Sequence, residues 1–405
     1  MIPQRFDIAI VGAGLAGTAL AAALGGSRLR VALIEAQPLS LQWPALVDDV
    51  RGFDGRVSAL TTASQQWLDT LGAWQAVAER RASAYTDMQV WDGDGTGSIH
   101  FSAAEVNRAE LGHIVENNLL QTALLHSVGR HHNVQVFGAT PVANFTRAAD
   151  HIEVRLESGA QINTELLVGA DGAQSRVREW AQFRLREWDY GHHAIVATVA
   201  TEHSHATTAW QIFRREGPLA FLPLRTTNGA QQFSSIVWST VPEEAEPLLA
   251  LSDDEFMRAL GRAFEHRLGR ITGVSRRFSF PLRARHARDY VQPNIALIGD
   301  AAHTIHPLAG QGINLGLLDA QVLAQEILRA AGRGLGAAEP SALARYQRQR
   351  KSDNLAALAT MEGFKRLFGA NDLHLRWLRN AGLRGVDRSG ALKRVLIRQA
   401  MGIHA

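Results

Sequence analysis

Gly12, Gly14 and Gly17 follow the apolar run Ile8–Val11 and open an alanine-rich stretch that reads as a helix. This G-x-G-x-x-G spacing after a strand constrains the fold more than any other feature of the chain. The first glycine permits the tight turn, the second lets backbone approach a pyrophosphate, and the third lets helix pack on strand. The N–H groups of Leu15 and Ala16 would then face the phosphates at the helix N-terminus. Arg30–Ile34 reads as the next strand, and Glu35 follows Gly17 by 18 residues, where a carboxylate can bind both ribose hydroxyls. Strand, turn, helix and acid in this register predict a nucleotide-binding βαβ unit. The Ala/Gly-rich stretch Ile8–Gly26 also has the look of a leader peptide or span, but Asp7 interrupts its flank.

At 405 residues the chain can bury a large core divided into two lobes. It contains no cysteine, which rules out disulfides, thiolate nucleophiles, thiolate-bound zinc and iron–sulfur clusters and fits a reducing, cytoplasmic setting. His192-His193, His203/His205 and His303/His306 lack an i, i+4 pairing with carboxylates, so no metal site is expected. There is no G-x-S-x-G elbow and no P-loop. The net charge of +3 hides an asymmetry: from residue 365 onward nine Lys/Arg stand against two Asp, so the rest of the chain is net negative.

Further along, Thr61 or Thr62 is placed to cap a helix reaching Leu71-Gly72. Met88–Trp91 and Ser98–Phe101 flank a turn and read as a hairpin. Glu116–Gly129 reads as a helix, and Glu165–Val168 as an apolar strand ending in Gly169-Ala170-Asp171-Gly172. From Phe183 to Leu282 the pattern turns to alternating strands with a helix at Asp253–Phe264, which predicts a mixed sheet. The first pattern resumes at Ile295-Ala-Leu-Ile, ending in Gly299-Asp300, with a helix from Gly312 to about Ala331 and helical sequence beyond.

Gly299-Asp300-Ala301-Ala302-His303, followed by Pro307-Leu308-Ala309-Gly310-Gln311-Gly312-Ile313-Asn314, is the second strong signal. Asp300 at a strand's carboxyl end can accept hydrogen bonds from sugar-alcohol hydroxyls, and Gly310 and Gly312 open a helix whose dipole suits an anionic ring edge. Asn314 and the peptide at Gln311 are candidates to read the pyrimidine edge of a flavin. Asp171-Gly172 marks the same sheet edge. Arg56 stands alone in an apolar approach to a helix, where a surface salt bridge is the simpler reading.

Taken together, Gly12–Gly17, Glu35, Arg56, Gly169–Gly172 and Gly299–Asn314 resemble the FAD-dependent aromatic hydroxylases of the para-hydroxybenzoate hydroxylase fold. Four stretches look closer still to the ubiquinone-biosynthesis ring hydroxylases, most of all the demethoxyubiquinol branch. They are Leu111–Gln121, Trp210–Phe213 with Gly217-Pro218 and Phe221–Leu224, Asp300–Gly316, and Gly390–Arg394. The resemblance runs nearly end to end and implies an α/β fold. A Rossmann-like FAD-binding lobe (residues 1–80, 106–182 and 283–340) would be interleaved with a mixed-sheet substrate lobe (81–105 and 183–282), before a helical C-terminal region (341–405).

The resemblance also implies FAD as cofactor, NAD(P)H as reductant and O2 as co-substrate. Gly12, Gly14, Leu15, Ala16, Gly17 and Glu35 would hold the adenosine diphosphate, with Arg56 near the ribityl–pyrophosphate region. Asp171 and Gly172 match a motif tied to both FAD and NAD(P)H. Gly299 and Asp300 would meet the ribityl chain, and Pro307 with Gly310, Gln311, Gly312, Ile313 and Asn314 the isoalloxazine. His303 and Pro307 are the residues expected nearest the reacting ring, with no catalytic base assigned. Trp210, Phe213, Phe221, Pro223 and Trp238 are expected pocket walls for a polyprenylated phenol or quinol.

Three readings stay open beside the demethoxyubiquinol step: C5 hydroxylation in the same pathway, hydroxylation of a small aromatic acid held by Arg214, Arg215 or Arg225, and a non-catalytic flavin-binding assembly subunit. The basic tail, with Phe364, Leu367, Phe368, Leu373, Leu375, Trp377, Leu378, Leu383, Leu392, Val395 and Leu396, suits an anionic membrane surface or an acidic partner in a quinone-synthesis complex. No nucleic-acid partner is expected.

Overall fold

The structure, a computed structural model, describes residues 3–304, 312–369, 380, 382, 385–387 and 389–402. The chain opens with β1 (Gln4–Val11), α1 (Leu15–Ala23), β2 (Val31–Ile34), β3 (Val57–Thr61), α2 (Thr62–Thr70), α3 (Trp74–Arg81), β4 (Ala82–Tyr85), β5 (Asp87–Asp92) and β6 (Ser98–Ser102). Next come β7 (Gly112–Glu116), α4 (Asn117–Val128), β8 (Val134–Phe137), β9 (Val142–Arg147), β10 (Ile152–Leu156), β11 (Gln161–Gly169) and α5 (Arg176–Trp180). The middle holds β12 (Leu185–Thr201), β13 (Thr208–Arg214), β14 (Gly217–Leu224), β15 (Phe233–Thr240), α6 (Pro242–Ala250), α7 (Asp253–Ala263), β16 (Ile271–Val274) and β17 (Phe278–Ala287). It closes with β18 (Val291–Gln292), β19 (Ile295–Leu297), β20 (His303–Thr304), α8 (Gly312–Gly332), α9 (Pro340–Gly369) and α10 (Gly390–Ala400).

The first sheet runs β18-β19-β11-β1-β2-β8, with β9 and β10 as an antiparallel extension from β11. Its five central strands are parallel. Parallel strands are covered on both faces, and Ile8, Ile10, Val31, Leu33, Leu166 and Val168 are all buried accordingly. One continuous core joins this sheet to α1, α4, α8 and the start of α9.

The second sheet runs β20-β17-β12-β15-β14-β13-β5-β6, with β16 beside β12. Helix α7 covers one of its faces; a capping box between Ser252 and Glu255 starts it, and Phe256 and Leu260 face the sheet. A third sheet, β3-β7-β4, sits between the two lobes.

The structure refines the expected boundaries. β4 belongs to the three-stranded sheet, whereas the hairpin β5–β6 joins the second sheet. Strand β17 continues to Ala287, and β20 pairs with it, so His303-Thr304 crosses from the first lobe to the second.

Candidate functional site

Registers of the first sheet bring motifs far apart in sequence into one row. Val11 pairs with Ile34 of β2 and with Gly169 of β11, and Gly169 pairs with Leu297 of β19. The residues that follow these strand ends, Gly12, Glu35, Asp171 and Gly299-Asp300, therefore share the carboxyl edge, where open α/β sheets bind ligands.

The glycine turn is as tight as the sequence suggests. Gly12 has φ +102° and a Cβ there would lie 2.4 Å from the Ala170 carbonyl oxygen; a Cβ on Gly17 would lie 2.0 Å from that of Gly12. At Gly14, the N-cap of α1, a Cβ would meet only open space, and no side chain caps the helix. Glu35 accepts the Ala13 N–H at 2.8 Å and the Gln37 N–H at 3.0 Å, which fixes its carboxylate at the turn. Gln121 of α4, a residue sequence reasoning passed over, donates to the Ala13 carbonyl and ties α4 to the same turn.

Asp171 differs from expectation. Its carboxylate accepts from the Ser175 hydroxyl at 2.5 Å and the Val177 N–H at 3.1 Å, and burial pushes its pKa up. It builds the turn into α5. Buried Arg178 links this turn to the next motif, donating to the carbonyls of Ala173 (2.8 Å) and Ala301 (2.9 Å).

Gly299 has φ +58°, and its would-be Cβ lies 3.2 Å from Ala16 and 3.8 Å from the Cα of Gly316, so α1, α8 and the Gly-Asp turn meet on small residues. Asp300 stays exposed in the cleft, but the protein mass around it raises its pKa, opposed by His303 and Arg56 and reinforced by Asp319. Arg56 makes no surface salt bridge among the described residues; its guanidinium lies over the Phe280 ring at 5.6 Å.

His303 is corrected from a ring-side candidate to an interior residue. It is buried, and its Nε2 lies 2.5 Å from Asp319 Oδ2. The fully buried Asp319 also accepts the Gly299 N–H (3.0 Å), Arg350 Nε (2.8 Å) and Asn354 Nδ2 (3.3 Å). Arg350 further donates to Asn354 Oδ1 (2.8 Å) and Asp353 (2.7 Å), and Asn354 reaches the Tyr290 hydroxyl, itself 3.0 Å from His286 Nε2. This network stands directly behind the Gly-Asp turn and holds its shape.

Burial alone would push the Asp319 carboxyl up, but His303 and Arg350 outweigh it and leave the pKa below the ordinary value. Burial drops His286 from 6.5 to about 4, helped by the charges of His303, Lys351 and Arg186. The folded protein thus binds fewer protons here than the unfolded chain, so this stabilisation is complete above pH 6.5 and drains away toward pH 4. Urea titrations are expected to show about 3 kcal/mol lost across that window through this group. His286→Asn should flatten the slope by the same amount; an unchanged slope would refute the assignment.

Asn314 is a second correction: its Oδ1 accepts the Thr61 N–H (3.0 Å) and its Nδ2 donates to the Ala59 carbonyl (2.7 Å), so the amide clamps α8 to β3. Gly312 opens α8 with no described atom within 4 Å of where a Cβ would stand, and Ile313 packs on the core. Pro307, Gly310 and Gln311 lie outside the described residues.

Four of the five expected wall residues, Trp210, Phe221, Pro223 and Trp238, are a third correction. Along β14, Leu219 and Phe221 face α7 while Ala220, Leu222 and Leu224 face the first lobe. Phe221 stacks on Phe264 at 3.8 Å, Trp238 packs near Phe256 at 6.1 Å, and Trp210 joins the same helix-covered core. Pro223 shares their side of β14, whereas Phe213, paired with Pro218, lies on the face of Ala220 and Leu222, where β13 meets the β5–β6 hairpin. The face turned to the first lobe carries Ala194, Ala220, Leu222, Val237 and Leu282, small or aliphatic residues next to Leu315 at the start of α8.

The sequence profile of the FAD binding domain family matches residues 5–360. The chain is 37% identical over 404 residues to the 3-demethoxyubiquinol 3-hydroxylase of Escherichia coli, covering 100% of both proteins. It is 37% identical to the ubiquinone hydroxylase UbiL of Rhodospirillum rubrum, over 98% of this chain and 89% of the relative. The chain belongs to the FAD-dependent ring hydroxylases. The fold agrees. PqsL of P. aeruginosa, solved in complex with 2-aminobenzoylacetate, superposes with TM-score 0.79 at 24% identity over 94% of this chain and 100% of its own. The p-nitrophenol 4-monooxygenase PnpA of Pseudomonas putida gives 0.78 at 18% identity over 98% of each.

The carboxyl edge of this hydroxylase fits the cofactor its family binds. Gly14 leaves the α1 N-terminus uncapped and open, as an approaching pyrophosphate requires, and Glu35 is held with lone pairs to spare for a ribose diol. Asp300 is the exposed carboxylate at the opposite end of that row.

Proposed function

We propose that this hydroxylase adds oxygen to the ring of a polyprenylated phenol or quinol in ubiquinone synthesis, at the demethoxyubiquinol step. FAD, reduced by NAD(P)H, supplies the oxygen chemistry; the chain binds, orients and keeps water out. Gly12, Gly14 and Gly17 shape the turn for the pyrophosphate, with Glu35 on the adenosine ribose and Asp300 on the ribityl hydroxyls. Asp319, Arg350 and His303 keep the Gly299-Asp300 turn in register without touching the cofactor. The substrate ring meets the face of Ala194, Ala220, Leu222, Val237 and Leu282, whose apolar surface suits a prenylated ring and excludes water.

The observation that carries the assignment is the 37% identity over the whole length of a demethoxyubiquinol hydroxylase. A small aromatic acid fits less well. Of its three expected carboxylate partners, Arg214 lies over Trp238 at 5.5 Å, on the helix-covered side of the sheet, and pairs with Glu216, while Arg215 and Arg225 are exposed. Deleting the gene tests the step: accumulation of the demethoxy-quinone is expected, and accumulation of an earlier intermediate would move the enzyme to the C5 position.

The C-terminal helix supports access from a membrane surface. Ile397 and Met401 of this region dock against Ala103 and Leu111, and Lys393 is buried between Glu105 (2.8 Å) and Asp387 (3.1 Å). Leu392, Val395 and Leu396 stay exposed beside Arg394 and Arg398. No described helix is long and apolar enough to cross a bilayer. Sedimentation with vesicles rich in phosphatidylglycerol is expected, falling about tenfold or more for the Leu392→Ser/Val395→Ser double variant. Equal binding by that variant would remove α10 from the account.

A further inference from the structure

We infer that the cavity between the 47–56 loop and the start of β17 is the docking site for the pyridine dinucleotide that reduces the flavin. This inference rests on the reading above that NAD(P)H is the reductant. The cavity measures 660 Å³, within the roughly 300–1,000 Å³ of small-molecule sites, and Arg51, Phe53, Asp253, Arg276, Arg277 and Phe278 line it.

Its charge is positive and available. Arg277 is committed to Asp253 at 3.1 Å and to the Leu251 carbonyl at 2.7 Å, so that acid is neutralised. The guanidinium groups of Arg51 and Arg276 carry no ion pair or hydrogen bond among the described residues. Arg276 lies over the Phe278 ring at 5.2 Å, which leaves its N–H edge, like that of Arg51, for phosphate oxygens, which accept paired N–H donors.

The loop that presents Arg51 is built into the fold. Buried Arg81 is paired with buried Glu116 at 2.7 Å and donates to the carbonyls of Val47 (3.0 Å) and Gly52 (2.6 Å). Glu116 in turn accepts the Asp54 N–H at 2.7 Å. These bonds fix the backbone that presents Arg51, which lowers the ordering cost at binding.

The cavity leads toward the flavin end of the site. Phe278 and Phe280 are exposed on the same side of β17 as Leu282, which faces the first lobe. Phe280 lies under Arg56, whose charge acts on the Asp300 carboxyl. Phosphates at Arg51 and Arg276, with Phe278 holding the Arg276 guanidinium in place, leave the other half of a dinucleotide to run past Phe280 toward Asp300.

Calorimetry on oxidised, FAD-loaded protein with NADPH, NADH and ADP-ribose tests this. Wild type should bind, with each of Arg51→Ser and Arg276→Ser weakening binding about tenfold and the pair about a hundredfold. FAD content and thermal midpoint should stay at wild-type values, and Phe278→Ala, which removes the ring under Arg276, should weaken ADP-ribose by several-fold. Affinity within twofold of wild type in the double variant would overturn the site. So would nucleotide affinity kept while binding of phosphatidylglycerol vesicles or of the quinol is lost. Wild type that binds no nucleotide also overturns it, yet leaves the hydroxylation reading intact if dithionite-reduced protein converts the quinol in a single turnover. Failure of that turnover with nucleotide binding present would instead strike the functional reading alone.

Discussion

Arg350→Met is expected to lower the stability of the folded protein by about 3–5 kcal/mol, a large share of the roughly 5–15 kcal/mol that domains possess. Arg350 and Asp319 are both fully buried, and their 2.8 Å pair is the hub of the polar cluster behind the Gly-Asp turn. Removing the cation leaves a buried carboxylate held by His303, the Gly299 N–H and Asn354, and strips Asn354 of its donor. Urea denaturation read by far-UV circular dichroism gives the number. Asp319→Asn should cost a comparable amount and free the Gly299 turn, so flavin retention should fall in both variants. Arg350→Lys should recover only part, because an ammonium cannot serve Asp319, Asp353 and Asn354 in one plane. A loss under 1 kcal/mol would show that the cluster is replaceable.

The second large effect is at the glycine turn. Gly17→Val should yield protein that retains no FAD on purification, an affinity loss of at least about a hundredfold. The added Cβ alone would stand 2.0 Å from the Gly12 carbonyl oxygen and 3.0 Å from the Ala170 side chain, so α1 must move away from β1 and β11. That shift carries the uncapped helix N-terminus away from the pyrophosphate. Fluorescence of released flavin after dialysis measures it, and retention at wild-type levels would mean that the turn does not set the cofactor's position.

Much of the first lobe was readable because parallel strands buried on both faces are continuous apolar runs. Ile8–Val11, Glu165–Val168 and Ile295–Ile298 each run into a glycine, and Asp171 and Asp300 stand just beyond the last two. The register that lines these ends up along one edge is a tertiary fact, but the motifs at the ends announced it.

The interior network was not readable. Arg350 sits in Arg345-Tyr-Gln-Arg-Gln-Arg-Lys-Ser-Asp-Asn, which by composition looks like a solvated helix, and Asp319 is one acid in an apolar helix. Only packing α9 against α8 puts them together. One signal was available: a lone carboxylate among Leu317, Leu318, Ala320 and Val322 needs a partner if buried. The direction of the second sheet was also hidden. Period-two alternation separates Phe221 from Leu222 but cannot say which face α7 will cover, and aromatic size pointed to the wrong one. His303 misled for a related reason, since its place beside Asp300 in sequence suggested the cleft while β20 turns it inward.

The most direct test of the account is hydroxylation of a short-prenyl demethoxyubiquinol by the purified yellow holoprotein with NAD(P)H under ¹⁸O-labelled dioxygen, followed by mass spectrometry. The account predicts a ring-hydroxylated product carrying one labelled oxygen, formed in step with NAD(P)H oxidation. Labelled hydrogen peroxide as the only oxygen product, with the quinol ring unchanged, would contradict it.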